Sequence, residues 1–137
     1  MANKLNVALI GCGRVAGHHA RSILNIPQYF NLVAVCDISD TRCENLGKQF
    51  FVDYYTNYNE MLISHPEIDA VSIMTPSGMH YEHSIDIITN YQKHIIIEKP
   101  MVMTIKQGNL LKKFAEQHDV LVFPVFQYRF NKSVQKI

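Results

Sequence analysis

In the run Gly11-Cys12-Gly13-Arg14-Val15-Ala16, two glycines and a small residue recur at the spacing that brings a backbone close to a phosphate. The first glycine permits a tight turn and the second leaves room for a pyrophosphate. Ala16 fills the small position where a helix meets a strand. A helix starting here offers free N–H groups and the positive end of its dipole to the phosphates. Asp37 follows about 20 residues later, where a carboxylate can accept from both hydroxyls of an adenosine ribose and repel a 2′-phosphate. Arg42 lies close enough in sequence to soften that preference. The combination predicts dinucleotide binding, with NAD favoured over NADP. Taken alone, the glycine run is also compatible with a tight turn that binds nothing.

Three further clusters could do chemistry: Thr75-Pro76-Ser77 with His80, Glu98-Lys99-Pro100, and Gln127-Tyr128-Arg129. Each has a bland alternative, respectively a helix start, a solvated surface charge and a loop. What weighs against three separate accidents is where the surrounding elements put them.

Those elements read as strands and helices in alternation. Strands are predicted at residues 5–11, 30–37, 68–76, 94–100 and 120–127, with a weak one at 51–57. The apolar runs are continuous rather than alternating, which means burial on both faces and a parallel sheet sandwiched between helices. Helices are predicted at 14–25, from Asp40 through Phe50 with Asp40 as cap, after Asn57 with Glu60 in capping-box spacing, at 79–90, and after Thr104 with Gln107 in the same spacing. The 79–90 segment carries Tyr81, Ile85 and Ile88 on one face, and the last helix should bury Ile105, Leu111, Phe114 and Ala115. Pro124 predicts an edge strand, and residues 133–137 look like the start of another helix. The fold class is therefore α/β, a doubly wound (Rossmann) and mostly parallel sheet of about six strands with helices on both faces. Ligands of such sheets sit beyond the carboxyl ends of the strands, where all the clusters converge.

Composition narrows the function. The chain has 137 residues, of which 47% are hydrophobic and 18% charged, enough for one domain with a real core. A net charge of +1 predicts neither nucleic-acid nor anionic-membrane binding. No stretch approaches the length of a spanning helix, and the opening apolar run is too short for a signal peptide, so a cytoplasmic location is expected. Cys12, Cys36 and Cys43 lack metal spacing and read as reduced, packed thiols. No metal site is expected: His18 and His19 point about 100° apart on a helix, and the His80/His83 pair has no accompanying cluster.

The motifs ALIGCGRVAGHH, VAVCD with Arg42, TPSGMHYEHS and EKPM together resemble the N-terminal domain of the Gfo/Idh/MocA oxidoreductases over essentially the whole chain. The resemblance implies NAD(P)-dependent oxidation of a secondary alcohol, usually on a sugar, cyclitol or nucleotide sugar. It implies a cofactor set of Gly11, Gly13, Arg14, Val15, Ala16, Asp37, Arg42, Thr75, Pro76, Ser77, His80, Glu98, Lys99 and Gln127. Lys99 is implied as the catalytic residue, beside the nicotinamide and the reacting hydroxyl. The segment VFPVFQYRFNKSV resembles the subgroup acting on UDP-N-acetylglucosaminuronate at the sugar C3, through Gln127, Arg129, Phe130 and Asn131. That implies Lys99, Arg129 and Asn131 at the substrate, in a cell-surface polysaccharide pathway such as lipopolysaccharide synthesis. Family members continue into a second domain that completes the sugar pocket and the usual oligomer interface. Residues 1–130 are accordingly read as the dinucleotide domain and 131–137 as the beginning of the second, truncated here, and the full-length parent as a homo-oligomer. Activity of this chain by itself stays open.

Two readings follow. In one, the chain is the cofactor half of a sugar dehydrogenase, and Lys99 takes the hydroxyl proton, relays it or hydrogen-bonds the developing alkoxide. Adjacent strand residues point oppositely, so Glu98 orients Lys99 or satisfies backbone, while Pro100 stiffens the turn, with a cis Lys99–Pro100 bond as one option. In the other, it is a non-catalytic NAD-binding or regulatory module.

Overall fold

The computed structural model describes residues 3–136. The chain alternates β1 (Leu5–Ile10), α1 (Ala16–Leu24), β2 (Phe30–Cys36), α2 (Asp40–Phe50), β3 (Asp53–Tyr55), α3 (Tyr58–Ser64), β4 (Ala70–Ile73), α4 (His80–Tyr91), β5 (His94–Ile97), α5 (Ile105–Gln117) and β6 (Val122–Pro124). The strands form one six-stranded sheet in the order β3-β2-β1-β4-β5-β6, and every adjacent pair is parallel. The predicted doubly wound architecture is the one observed. The chain first steps from β1 outward to β3 and then returns to β4 on the other side of β1. That reversal leaves a crevice between the carboxyl ends of β1 and β4.

Two apolar cores hold the layers. On one face Ala8, Ile10, Val71, Ile73, Ile95 and Ile97 meet Met61 of α3, Ile87 and Ile88 of α4 and Leu111 of α5. On the other, Leu9, Leu32 and Val35 meet Ala16 and Ala20 of α1 and Cys43 and Leu46 of α2. Full burial of each branched aliphatic contributes about 1.5–3 kcal/mol, so β4 and β5 are anchored chiefly by their isoleucines and valine. The second face is less complete, since α1 and α2 cover β1 and β2. Beyond them Ser72, Ile96 and Val125 line an apolar cleft of about 470 Å³ beside α1.

Several local expectations need correction. Asp40 does not cap α2. It is the first helical residue, after Ser39, whose own side chain makes no capping bond. Asn57 does cap α3, its side chain accepting from the Asn59 N–H at 2.8 Å. Thr104 caps α5 by accepting from the Gln107 N–H at 3.2 Å, while Gln107 Oε1 accepts from the Met103 N–H. On α5, Leu111 and Ala115 are buried and Phe114 is half-buried, but Ile105 is 85% exposed. It precedes Leu111 by six residues, about 240° round the helix and off the core face.

The last strand stops at Pro124 instead of running to Gln127. Pro124 does lie on an edge strand, with no strand beyond it among the described residues. Gln127–Phe130 and Val134–Lys136 are 3₁₀ turns, and Ile137 lies outside the described residues. All three cysteines are free and buried, and burial pushes the Cys12 and Cys36 thiols up to about 12.

Candidate functional site

The glycine loop leaves β1 with Gly11 at φ +95°, a conformation side chains disfavour. A Cβ there would sit 2.7 Å from the Met74 carbonyl carbon and oxygen at the end of β4. At Gly13 the opposite holds, since a Cβ would meet nothing within 4 Å. That open side lies just ahead of α1, whose first turn has neither a capping side chain nor an acidic residue. An anion approaching Gly13 meets an unshielded helix N-terminus.

Asp37 ends β2 at 8% exposure, and both of its oxygens are engaged. Oδ2 accepts from the Cys12 N–H at 2.7 Å, and Oδ1 accepts from the Ser39 N–H at 2.8 Å. The carboxylate thus braces the glycine loop against the turn into α2, and each oxygen keeps a second lone pair. It also lines a cleft of about 570 Å³ with Gly11, Gly13, Arg42, Thr75 and Pro76. Ile38, 94% exposed, and Met79 add apolar surface. These residues fit the adenosine and pyrophosphate half of a dinucleotide: acceptors for ribose hydroxyls, a side-chain-free approach at Gly13, and apolar surface for a base.

The second wall of this cleft comes from the β4–α4 connection. Thr75 Oγ1 lies 3.0 Å from His83 Nδ1, and the Tyr58 ring stands edge-on to His83 at 5.5 Å. Burial lowers the pKa of His83, against the opposite pull of Glu82 and Asp86. His80, by contrast, is only 1% exposed and faces two carbonyls. Its Nε2 lies 2.6 Å from the Thr75 oxygen and its Nδ1 2.8 Å from the Pro100 oxygen. It ties the Thr75-Pro76-Ser77 loop to the Pro100 turn and leaves no ring nitrogen open to a ligand. Ser77 opens the 3₁₀ turn before α4.

At the end of β5, Glu98 is half-buried and turned toward α1. His19 Nε2 donates to Glu98 Oε1 at 2.7 Å, and Ser72 Oγ lies 3.0 Å from His19 Nδ1. Glu98 Oε2 accepts from the Lys99 backbone N–H at 3.1 Å. The Lys99–Pro100 peptide is cis, and both residues are exposed. Val15, His19, Ser72, Glu98 and Gln127 line the apolar cleft beside α1, so the glycine loop stands between two clefts.

Arg129 lies over the Phe126 ring at 6.0 Å, and Asn131 Oδ1 accepts from the Ser133 N–H. Both Arg129 and Asn131 are exposed. Among the described residues no group of three or more side chains could hold a metal, and no helix is long and apolar enough to cross a membrane.

Sequence reasoning weighed His19 and His83 only as poor metal ligands and overlooked Ser72 and Tyr58. Ser72 was visible in principle as a lone hydroxyl inside an apolar strand. Tyr58 carries no local signal, because it meets His83 only through the packing of α3 against α4.

Comparison with known proteins adds a family. The family model described as "Oxidoreductase family, NAD-binding Rossmann fold" matches residues 5–126. An oxidoreductase of Synechocystis is 32% identical over 97% of this chain and 35% of its own length. The NAD-dependent scyllo-inositol 2-dehydrogenase of Bacillus subtilis is 25% identical over 97% of this chain and 39% of its own. Among solved structures, the WlbA dehydrogenase of Bordetella pertussis, in complex with NADH and UDP-GlcNAcA, superposes with a TM-score of 0.91 at 27% identity. The superposition covers 98% of this chain and 40% of that one. The chain thus spans about 35–40% of the length of these relatives.

Proposed function

Because the chain belongs to the Gfo/Idh/MocA oxidoreductase family as its NAD-binding Rossmann domain, we propose that it is the cofactor half of a dehydrogenase that oxidises a secondary alcohol of a sugar or nucleotide sugar. One observation carries the reading: the glycine loop, the Asp37 cleft and the Glu98-Lys99-Pro100 turn all lie at the carboxyl edge of one parallel sheet. Bound NAD supplies the hydride acceptor. The chain's own groups do the rest. The open face of Gly13 and the N-terminus of α1 receive the pyrophosphate, Asp37 receives the ribose and selects against a 2′-phosphate, and the Lys99 amine takes the alcohol proton or steadies the alkoxide. Holding amine and cofactor on one rigid sheet edge supplies the alignment on which such a transfer depends.

Two relatives support the substrate class. The WlbA dehydrogenase structure holds NADH and UDP-GlcNAcA and another relative is a scyllo-inositol 2-dehydrogenase, which supports a ring hydroxyl as the group that this chain's parent oxidises. Gln127, Arg129 and Asn131 favour the nucleotide-sugar acid, oxidised at C3, as a step in building a cell-surface polysaccharide. Arg129 and Asn131 would meet it with exposed polar groups. The relatives are more than twice as long, and a second domain, beginning near residue 131 and completing the sugar pocket, belongs to this proposal.

The test has two arms. This chain should bind NADH in a fluorescence titration, and NADPH more weakly. In the intact parent protein, Lys99→Ala should abolish turnover of UDP-GlcNAcA and leave NADH affinity within a factor of about two, as removal of a group acting only in the transition state requires. Near-normal turnover of that variant would remove Lys99 from the chemistry. A non-catalytic NAD-binding module is favoured by one observation, that Lys99 lines neither cleft. Under that reading the intact parent binds NADH and turns over neither UDP-GlcNAcA nor an inositol.

A further inference from the structure

The geometry points to His19 as a positioning residue that locks the phosphate-facing helix α1 to the turn carrying Lys99. This rests on the reading of Lys99 given above, although the contacts behind it do not. His19 stands in the first turn of α1, and its ring reaches two other elements. Nε2 is 2.7 Å from Glu98 Oε1 at the end of β5, and Nδ1 is 3.0 Å from Ser72 Oγ in the middle of β4. A carboxylate accepts only, so Nε2 carries the proton and donates. In the neutral ring Nδ1 then accepts from the Ser72 hydroxyl. In that tautomer both ring nitrogens of His19 have a partner, and Ser72 explains itself as the one hydroxyl in an otherwise apolar strand, Ala70–Ile73. Glu98 passes the constraint on through Oε2, which accepts from the Lys99 N–H.

The result is a relay, Ser72–His19–Glu98–Lys99 N–H, spanning contacts 53 and 79 residues apart in sequence. The sheet by itself sets where β5 ends relative to β1. It does not set how the backbone turns at Lys99, because that peptide lies beyond the last strand residue, Ile97. The charge-assisted bond from His19 helps to set it from the α1 side, as the His80–Pro100 contact does from the α4 side. Since α1 also offers its N-terminus to the pyrophosphate, one side chain links the peptide that carries the Lys99 side chain to the phosphate-facing helix. A nucleophilic role for this Ser-His-Glu set fails on access: Ser72 is 1% exposed and its hydroxyl is committed to Nδ1.

The proposal is tested on this chain as it stands. Long-range ¹⁵N NMR of wild type should find His19 as the Nε2–H tautomer; an Nδ1–H tautomer would overturn the relay without any variant. His19→Phe keeps a ring and removes both bonds. Its Lys99 amide should exchange with solvent at least about tenfold faster, the scale of one lost charge-assisted hydrogen bond, while the Ile95 and Ile97 amides stay unchanged. His19→Gln places an amide N–H near Nε2 and should restore Lys99 protection to within about a factor of two of wild type. Unchanged exchange in His19→Phe, or a folded His19→Gln that fails to restore it, would sink the assignment. A wild-type chain that does not bind NADH would overturn the functional reading and leave the exchange result standing.

Discussion

At the end of β2 a carboxylate is buried and gripped by two backbone N–H groups, whereas at the end of β5 a lysine side chain is exposed and held only through its peptide. The two ends belong to one sheet and face the same edge, yet they are built in opposite ways. Asp37 is structural before it is functional: its oxygens stitch the glycine loop to α2 whether or not a ribose is present. Lys99 contributes nothing visible to the fold, and the chain spends Glu98, His19 and Ser72 on orienting it. The first half of the site should therefore fail through folding, the second through chemistry alone.

The largest effect that would break this contrast lies at Gly11. Gly11→Ala puts a methyl 2.7 Å from the Met74 carbonyl, in a backbone conformation with φ +95°. It should cost roughly 2–4 kcal/mol and abolish NADH binding, as read by urea unfolding and fluorescence titration. Asp37→Ala comes next. It strands the Cys12 and Ser39 N–H groups, at about 1–3 kcal/mol for each that stays dry, and weakens NADH binding in the same variant. Lys99→Ala should leave the unfolding midpoint within about 0.5 kcal/mol of wild type. A destabilisation by Lys99→Ala equal to that of Asp37→Ala would erase the distinction.

The smallest effect is a slope. His83, on the wall of the Asp37 cleft, has its pKa lowered by burial from the ordinary 6.5. The unfolded chain therefore binds more protons near and below that value. Stability from keeping His83 neutral is complete above pH 6.5 and is lost as the pH falls from there through the folded pKa. His83→Gln should flatten the fall in urea midpoint between about pH 7 and pH 5. An equal slope in wild type and variant would remove His83 as its cause.

Much of this contrast was legible in the sequence. The glycine run, the carboxylate after the second apolar strand and the three polar strand ends each carry a local signal. A doubly wound sheet follows from continuous apolar runs between helices. What stayed hidden depends on distance in sequence. Asp37 reads as a ribose ligand alone, because nothing local says that the Cys12 and Ser39 N–H groups also meet its oxygens. His19 reads as half of a poor metal pair until α1 is laid against β4 and β5. Other misses were arithmetic. Ile105 counts as core only if the helical period is not followed to Leu111, and the run after Val120 promises a longer strand than an edge position with Pro124 sustains.

The buried Cys12 has a use that its packing suggests. Its thiol lies between the two glycines of the loop, donates to the Cys36 carbonyl, and is kept protonated by burial far above neutral pH. An alkylating reagent can reach it only when the loop parts from the end of β2. The rate of Cys12 modification is then a stopwatch for that opening, and a ligand that closes the loop should slow it.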